Sequence, residues 1–130
     1  MNCKSLSVAL ATTLLTLFSQ PAAAQIAGVW HVTGDISSHD FVLDCHFEPA
    51  ASQFGGTCIE AGGNDGHVKP GKVHKLSQGS VSGLQVRWAY PVTVMLMSFD
   101  IHFSGTLAGN AIAGDVTASG RKGKFTAVRK

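Results

Sequence analysis

Leu84-Gln85-Val86-Arg87-Trp88-Ala89-Tyr90-Pro91-Val92-Thr93-Val94-Met95-Leu96-Met97-Ser98-Phe99-Asp100-Ile101-His102-Phe103 is the stretch that decides the fold. Before Pro91, the apolar side chains Leu84, Val86, Trp88 and Tyr90 share one parity, opposite Gln85, Arg87 and Ala89. After it, Met95, Met97, Phe99, Ile101 and Phe103 share a parity, opposite Leu96, Ser98, Asp100 and His102. A period of two marks an antiparallel strand with one face buried and one wet. Proline cannot donate to a ladder, so Pro91 is expected at a bulge or a strand end, separating strands over about 80–90 and 92–106.

The same reading extends in both directions. Short runs rich in Val, Ile, Phe, Thr and Trp alternate with glycines, and no sustained helical period follows residue 24. Six more strands are expected at about 26–33, 40–48, 54–60, 72–77, 110–118 and 122–129. Gln78-Gly79 and Gly109-Asn110 read as two-residue hairpin turns, and Lys69-Pro70-Gly71 as a further reversal. Residues 62–66, Gly-Gly-Asn-Asp-Gly, read as a longer loop. A weak repeat, residues 76–83 against 107–114, fits two equivalent strand–turn–strand units of a meander. Parallel crossovers would need helices that are missing. An open sheet would expose two hydrogen-bonding edges, and closure removes both. The expected fold is therefore all-β, a single antiparallel up-and-down barrel of about eight strands.

The N-terminus reads differently. Lys4 precedes an uncharged apolar run from Leu6 to Phe18, Pro21 breaks it, and Ala22-Ala23-Ala24 offers small residues for a peptidase. This is the pattern of a cleaved secretory signal, residues 1–24, leaving one domain over 25–130. The run is shorter than the roughly 20 residues of a membrane span, so none is expected. Loss of Lys4 brings the 10 Lys and Arg to 9, against 8 Asp and Glu. That balance carries no footprint for nucleic acid. The basic cluster Arg121-Lys122-Gly123-Lys124, with Arg129-Lys130, reads as a solvated hairpin tip. An exported chain meets an oxidising compartment, so Cys45 and Cys58, on neighbouring strands, are expected to form a disulfide. The expected location is periplasmic or secreted, as a monomer or small homo-oligomer.

Function follows from which faces point inward. An eight-stranded barrel is just wide enough to be filled or to hold one small ligand. The first reading is an exported barrel holding a small apolar or aromatic molecule against Trp88, Tyr90, Met95, Met97, Phe99 and Phe103. Methionines suit an adaptable pocket, although they also fill cores. The second reading inverts the two central strands. His102, Asp100, Arg87 and Tyr90 would then supply base, acid and anion contact to a cofactor-independent lyase, isomerase or cyclase acting on a small hydrophobic substrate. That reading requires His102 inside the barrel. The third is a structural envelope-interaction module with a filled core. No cofactor is implied. His31, His39, His46, His67, His74 and His102 are scattered without zinc-ligand spacing, so no metal site is assigned, although Asp44 and His46 share a face. Nucleophile-elbow, P-loop, HExxH and dinucleotide motifs are absent from the sequence.

Gly28-Val29-Trp30 near the first strand resembles the G-x-W signature of lipocalin-like (calycin) barrels. In that family the tryptophan crosses the closed base and packs against an arginine near the end of the last strand. Arg129, in Phe125-Thr126-Ala127-Val128-Arg129, stands in the corresponding place. The resemblance implies barrel closure through a cation–π contact between Trp30 and Arg129. Residues 103–114 and 125–129 also resemble short exported bacterial β-barrel proteins of unassigned function. The chain departs from the family in its short length and in lacking a C-terminal helix.

Overall fold

The computed structural model describes residues 22–50, 53–64 and 68–130. Residues 1–21, most of the expected export segment, and His67 lie outside the described residues. One helical turn, α1 (Ala22–Ile26), precedes β1 (Gly28–Ile36), β2 (His39–Ala50), β3 (Gln53–Gly63), β4 (Val73–Lys75), β5 (Gln78–Ser82), β6 (Gln85–Val94), β7 (Met97–Ala108), β8 (Ala111–Ala118) and β9 (Arg121–Arg129). Consecutive strands pair antiparallel, except that β3 pairs with both β4 and β5, and β1 closes the ring on β9. The segments β4 and β5 occupy successive stretches of one wall position, so the nine strands make an eight-position barrel.

Closure is concentrated at one end. Trp30 is fully buried and pairs in register with Arg129. The guanidinium lies 4.4 Å from the Trp30 ring centroid, a cation–π contact. Arg129 Nη1 also donates to the Ala27 carbonyl at 2.6 Å, Nη2 donates to the Gln25 carbonyl, and Trp30 Nε1 donates to the Ile26 carbonyl at 2.9 Å. These bonds pin α1 across the barrel base, where Ala23 and Ile26 are buried. Gly28 has φ 119° and would bring a β-carbon within 3.3 Å of Arg129 Nη1, so the glycine of G-x-W serves both backbone and packing.

Above this base the core is aromatic. Trp88 stacks on Phe103 at 4.8 Å and meets Phe47 and Phe125 at 5.1 and 5.2 Å. Its indole Nε1 is buried with no hydrogen-bond partner among the described residues, a cost of about 1–3 kcal/mol that the surrounding apolar burial outweighs. Gly105 and Gly114 face each other across β7 and β8. A β-carbon on Gly114 would sit 2.0 Å from the Ser104 carbonyl oxygen, and one on Gly105 would sit 3.0 Å from the Phe125 ring. The glycine pair lets the wall bend and Phe125 lie over it.

Several expected boundaries are corrected. The segment 80–90 is two strands, because Gly83 at φ 59° turns the chain and leaves Leu84 57% exposed. Gln78-Gly79 is no turn. Gly79 lies in β5 because a β-carbon there would fall 2.3 Å from the Phe54 carbonyl oxygen. Residue 26 ends α1 rather than starting a strand. Pro91 lies inside β6, opposite Asp100. Backbone direction explains its tolerance. The Ala89 carbonyl accepts from Ser77 N–H on the β5 side, and Pro91 shares that parity. The last β5–β6 pair is Gln78↔Ala89, so the Pro91 nitrogen faces a stretch of β6 with no ladder partner on that side.

Cys45 and Cys58 pair in register across β2 and β3, with Cα atoms 4.0 Å apart, and form the expected disulfide. Both are fully buried. Replacing both by alanine removes about 3 kcal/mol of chain-entropy stabilisation. The expected outcome is a thermal midpoint lower by roughly 10–20 °C, read by circular dichroism.

Candidate functional site

The two barrel ends differ. Helix α1 seals the base, while the end bearing the β1–β2, β6–β7 and β8–β9 turns opens into a cavity of about 430 Å³. That volume lies within the range of small-molecule sites, about 300–1,000 Å³. Phe103 and Tyr90 form its floor, Phe41, Leu43, Phe99 and Ile101 its walls, and His39, Asp40, Ser119 and Arg121 its rim. Beside it runs a lateral depression between β4 and the upper part of β6, lined by Glu60, Lys69, Lys72, His74 and Met95 among others. Glu60, Val94, Phe99 and Ile101 line both, so the two spaces adjoin.

Strand parity decides which expected site residues reach this cavity. Tyr90, Phe99 and Phe103 line it. Trp88 does not, because it packs in the base beneath Phe103. Met95 borders only the lateral depression and is 90% exposed. Met97 is 70% exposed and borders neither space. The misplacement of the two methionines has one cause. Met95 and Leu96 form the β6–β7 turn, so the strand that was expected to begin before Met95 begins at Met97.

The inverted arrangement is absent. Arg87, Asp100 and His102 lie on the outer face and are exposed, while Tyr90 points inward. His102 Nδ1 is 3.3 Å from Gln78 Nε2 on that outer wall. The His102, Asp100, Arg87 and Tyr90 cluster therefore does not assemble, because neighbouring parities of one strand cannot share the interior. Asp44 and His46 also face outward. Asp44 is bonded to His31 at 2.9 Å and lies 3.2 Å from Lys130 Nζ. Among the described residues no three His, Cys, Asp or Glu side chains converge as metal ligands.

A polar group that the parity argument missed lies where the spaces adjoin. His74, 7% exposed, is the buried polar or charged side chain of the described core. Its ring stacks on Tyr90 at 4.6 Å, and its Nε2 lies 3.7 Å from Glu60 Oε1. Glu60 Oε2 accepts from the Lys69 backbone N–H at 3.3 Å. Burial pushes the His74 pKa below the ordinary histidine value, against the pull of Glu60. Burial, then the Glu60 charge, pushes the Tyr90 phenol up, so its hydroxyl stays protonated and able to donate. That hydroxyl makes no hydrogen bond to another described residue. The floor of the apolar cavity thus offers one unengaged donor.

Comparison with protein families and with curated proteins finds no match. Solved structures do match. A redesigned β-barrel, mFAP1, bound to DFHBI, has a TM-score of 0.60 at 16% identity, covering 85% of this chain and 100% of that chain. A second redesigned β-barrel gives 0.63 at 18% identity, covering 85% of this chain and 96% of that chain. A de novo designed fluorescence-activating β-barrel gives 0.59 at 13% identity, covering 86% and 100%. These likenesses establish the class: a closed antiparallel eight-stranded barrel.

His74 gives this site a pH signature. An imidazole kept neutral in the fold contributes stability above about pH 6.5, and that contribution is lost as pH falls through the lowered folded value. Urea midpoints measured from pH 7.5 to 5 are expected to fall more for the parent chain than for His74→Phe, which keeps a ring on Tyr90 but does not titrate.

Proposed function

We propose that this protein is an exported, calycin-like barrel that holds one small apolar or aromatic molecule in its open-ended cavity. The observation that carries the reading is the asymmetry of the barrel: one end packed solid by Ile26, Trp30 and Trp88, which all remain after cleavage behind Ala24, the other left as an apolar space of about 430 Å³ with a single donor, Tyr90, on its floor. A space that large is not a packing defect, since protein cores leave few voids larger than a water molecule. Mostly apolar walls with a few polar groups are the composition of ligand sites. The barrel mFAP1, whose structure contains DFHBI, has a similar fold. The G-x-W glycine and the Trp30–Arg129 contact support the calycin-like assignment. The buried Cys45–Cys58 disulfide supports export to an oxidising compartment, periplasmic or extracellular. No helix among the described residues is long and apolar enough to cross a membrane. The ligand's apolar body would lie against Phe99, Ile101 and Phe103, and an acceptor atom would meet the Tyr90 hydroxyl.

Titration with an environment-sensitive apolar dye tests this reading. Saturation at one dye per chain is expected. Phe99→Ala weakens it about tenfold by removing a partly buried ring, Ala118→Phe blocks it, and Met97→Ala leaves it unchanged. An absence of saturable binding, or a Met97→Ala effect equal to that of Phe99→Ala, overturns it. Edman sequencing of the exported protein is expected to begin at Gln25.

A further inference from the structure

The turn between β6 and β7 differs in chemistry from the barrel's other tight turns. Met95 and Leu96 have φ of 50° and 69°, in the left-handed region. At the same end, β1–β2 turns through Ser37-Ser38 at 48° and 70°, and β8–β9 through Ser119-Gly120 at 48° and 78°. Such turns favour Asn and Gly, because a β-carbon is strained at positive φ. Met95 and Leu96 accept that strain and gain no packing within the chain. They are 90% and 100% exposed, followed by Met97 at 70% and preceded by Val94 at 39%. The most exposed apolar side chains of the described surface are therefore consecutive, on a projecting tip, in the conformation least suited to them.

Their neighbours indicate what the tip meets. Lys69 and Lys72 line the same lateral depression as Val94 and Met95. The acidic side chain there, Glu60, is already engaged by His74 and the Lys69 backbone. A few apolar side chains flanked by cations are the composition of segments that enter the headgroup boundary of an anionic bilayer. A protein partner fits less well. A stable protein interface buries about 800 Å² on each side, far more than a two-residue tip presents.

We propose that the Met95-Leu96 tip inserts into the interfacial layer of an anionic lipid membrane, with Lys69 and Lys72 at the headgroups. Docking in this way turns the open barrel end, which shares Val94 and Phe99 with the tip's flank, toward the lipid. The proposal does not rest on ligand binding and is tested without any ligand.

The test is flotation of the processed protein, beginning at Gln25, with vesicles of phosphatidylcholine, alone or mixed with phosphatidylglycerol, at a lipid concentration that half-binds the parent protein. Co-flotation with the anionic vesicles is expected. The double variant Met95→Asn, Leu96→Gly installs the favoured turn sequence, so it is expected to melt higher than the parent while partitioning at least about tenfold less. The pair Lys69→Gln, Lys72→Gln loses about fivefold per residue on anionic vesicles and little on neutral ones. All these proteins begin at Gln25, so differences between them report the tip and the lysines. Equal flotation of the Asn-Gly variant and the parent overturns the proposal. So does concentration-dependent self-association of the parent, lost in that variant, with no vesicle binding, because the tip would then be a contact between protein molecules.

Discussion

Pairing of the first strand with the last is the constraint on which every other feature depends. The β1–β9 ladder runs from Trp30↔Arg129 to Ile36↔Gly123 and converts a curved meander into a cylinder. Without it the sheet would carry two bare edges and no interior, and Trp88, Phe103 and Phe125 would have nothing to pack against. Arg129 contributes to this closure in three ways at once. It continues the ladder, covers the Trp30 ring, and donates to carbonyls in the segment that seals the base. The closed base and the open mouth are opposite outcomes of the same tie, since the residues that could fill the barrel are drawn to one end.

The interior is a gradient rather than a uniform core. Toward α1 it is a dense aromatic stack that accommodates even an unbonded indole N–H. Toward the turns it thins to half-buried Phe41, Phe99 and Ile101. Between the two zones sit Tyr90 and His74, stacked on each other where dry packing gives way to space. Burial holds both in their neutral forms, which lets polar side chains occupy an apolar floor without an uncompensated charge.

Much of this was legible from parity. Val86, Trp88, Tyr90 and Phe103 all fall on the apolar parity read from residues 84–103 and are buried. What remained illegible has identifiable physical causes. Strand β4 is three residues long, too short to display a period, and its apolar member Val73 is 57% exposed while His74 points in. Nothing local could have shown that His74 is the buried one of the five described histidines. Gly79 looked like a turn residue but is a packing residue, required because the Phe54 backbone crosses it. Met95-Leu96 carries no turn signature, so the sequence reads as one continuous apolar run that places the methionines inside.

The unpaired stretch of β6 has a mechanical meaning. Around most of the circumference, widening the barrel would stretch rows of backbone hydrogen bonds. From Pro91 onward one flank of β6 has no such row among the described residues, and a proline cannot donate to one at that position. The ring of bonds therefore has a gap, bridged by the face-to-face contact of two rings instead of by amides. At that place the wall is held by stacked aromatic surfaces, so parting it there would break no ladder hydrogen bond among the described residues.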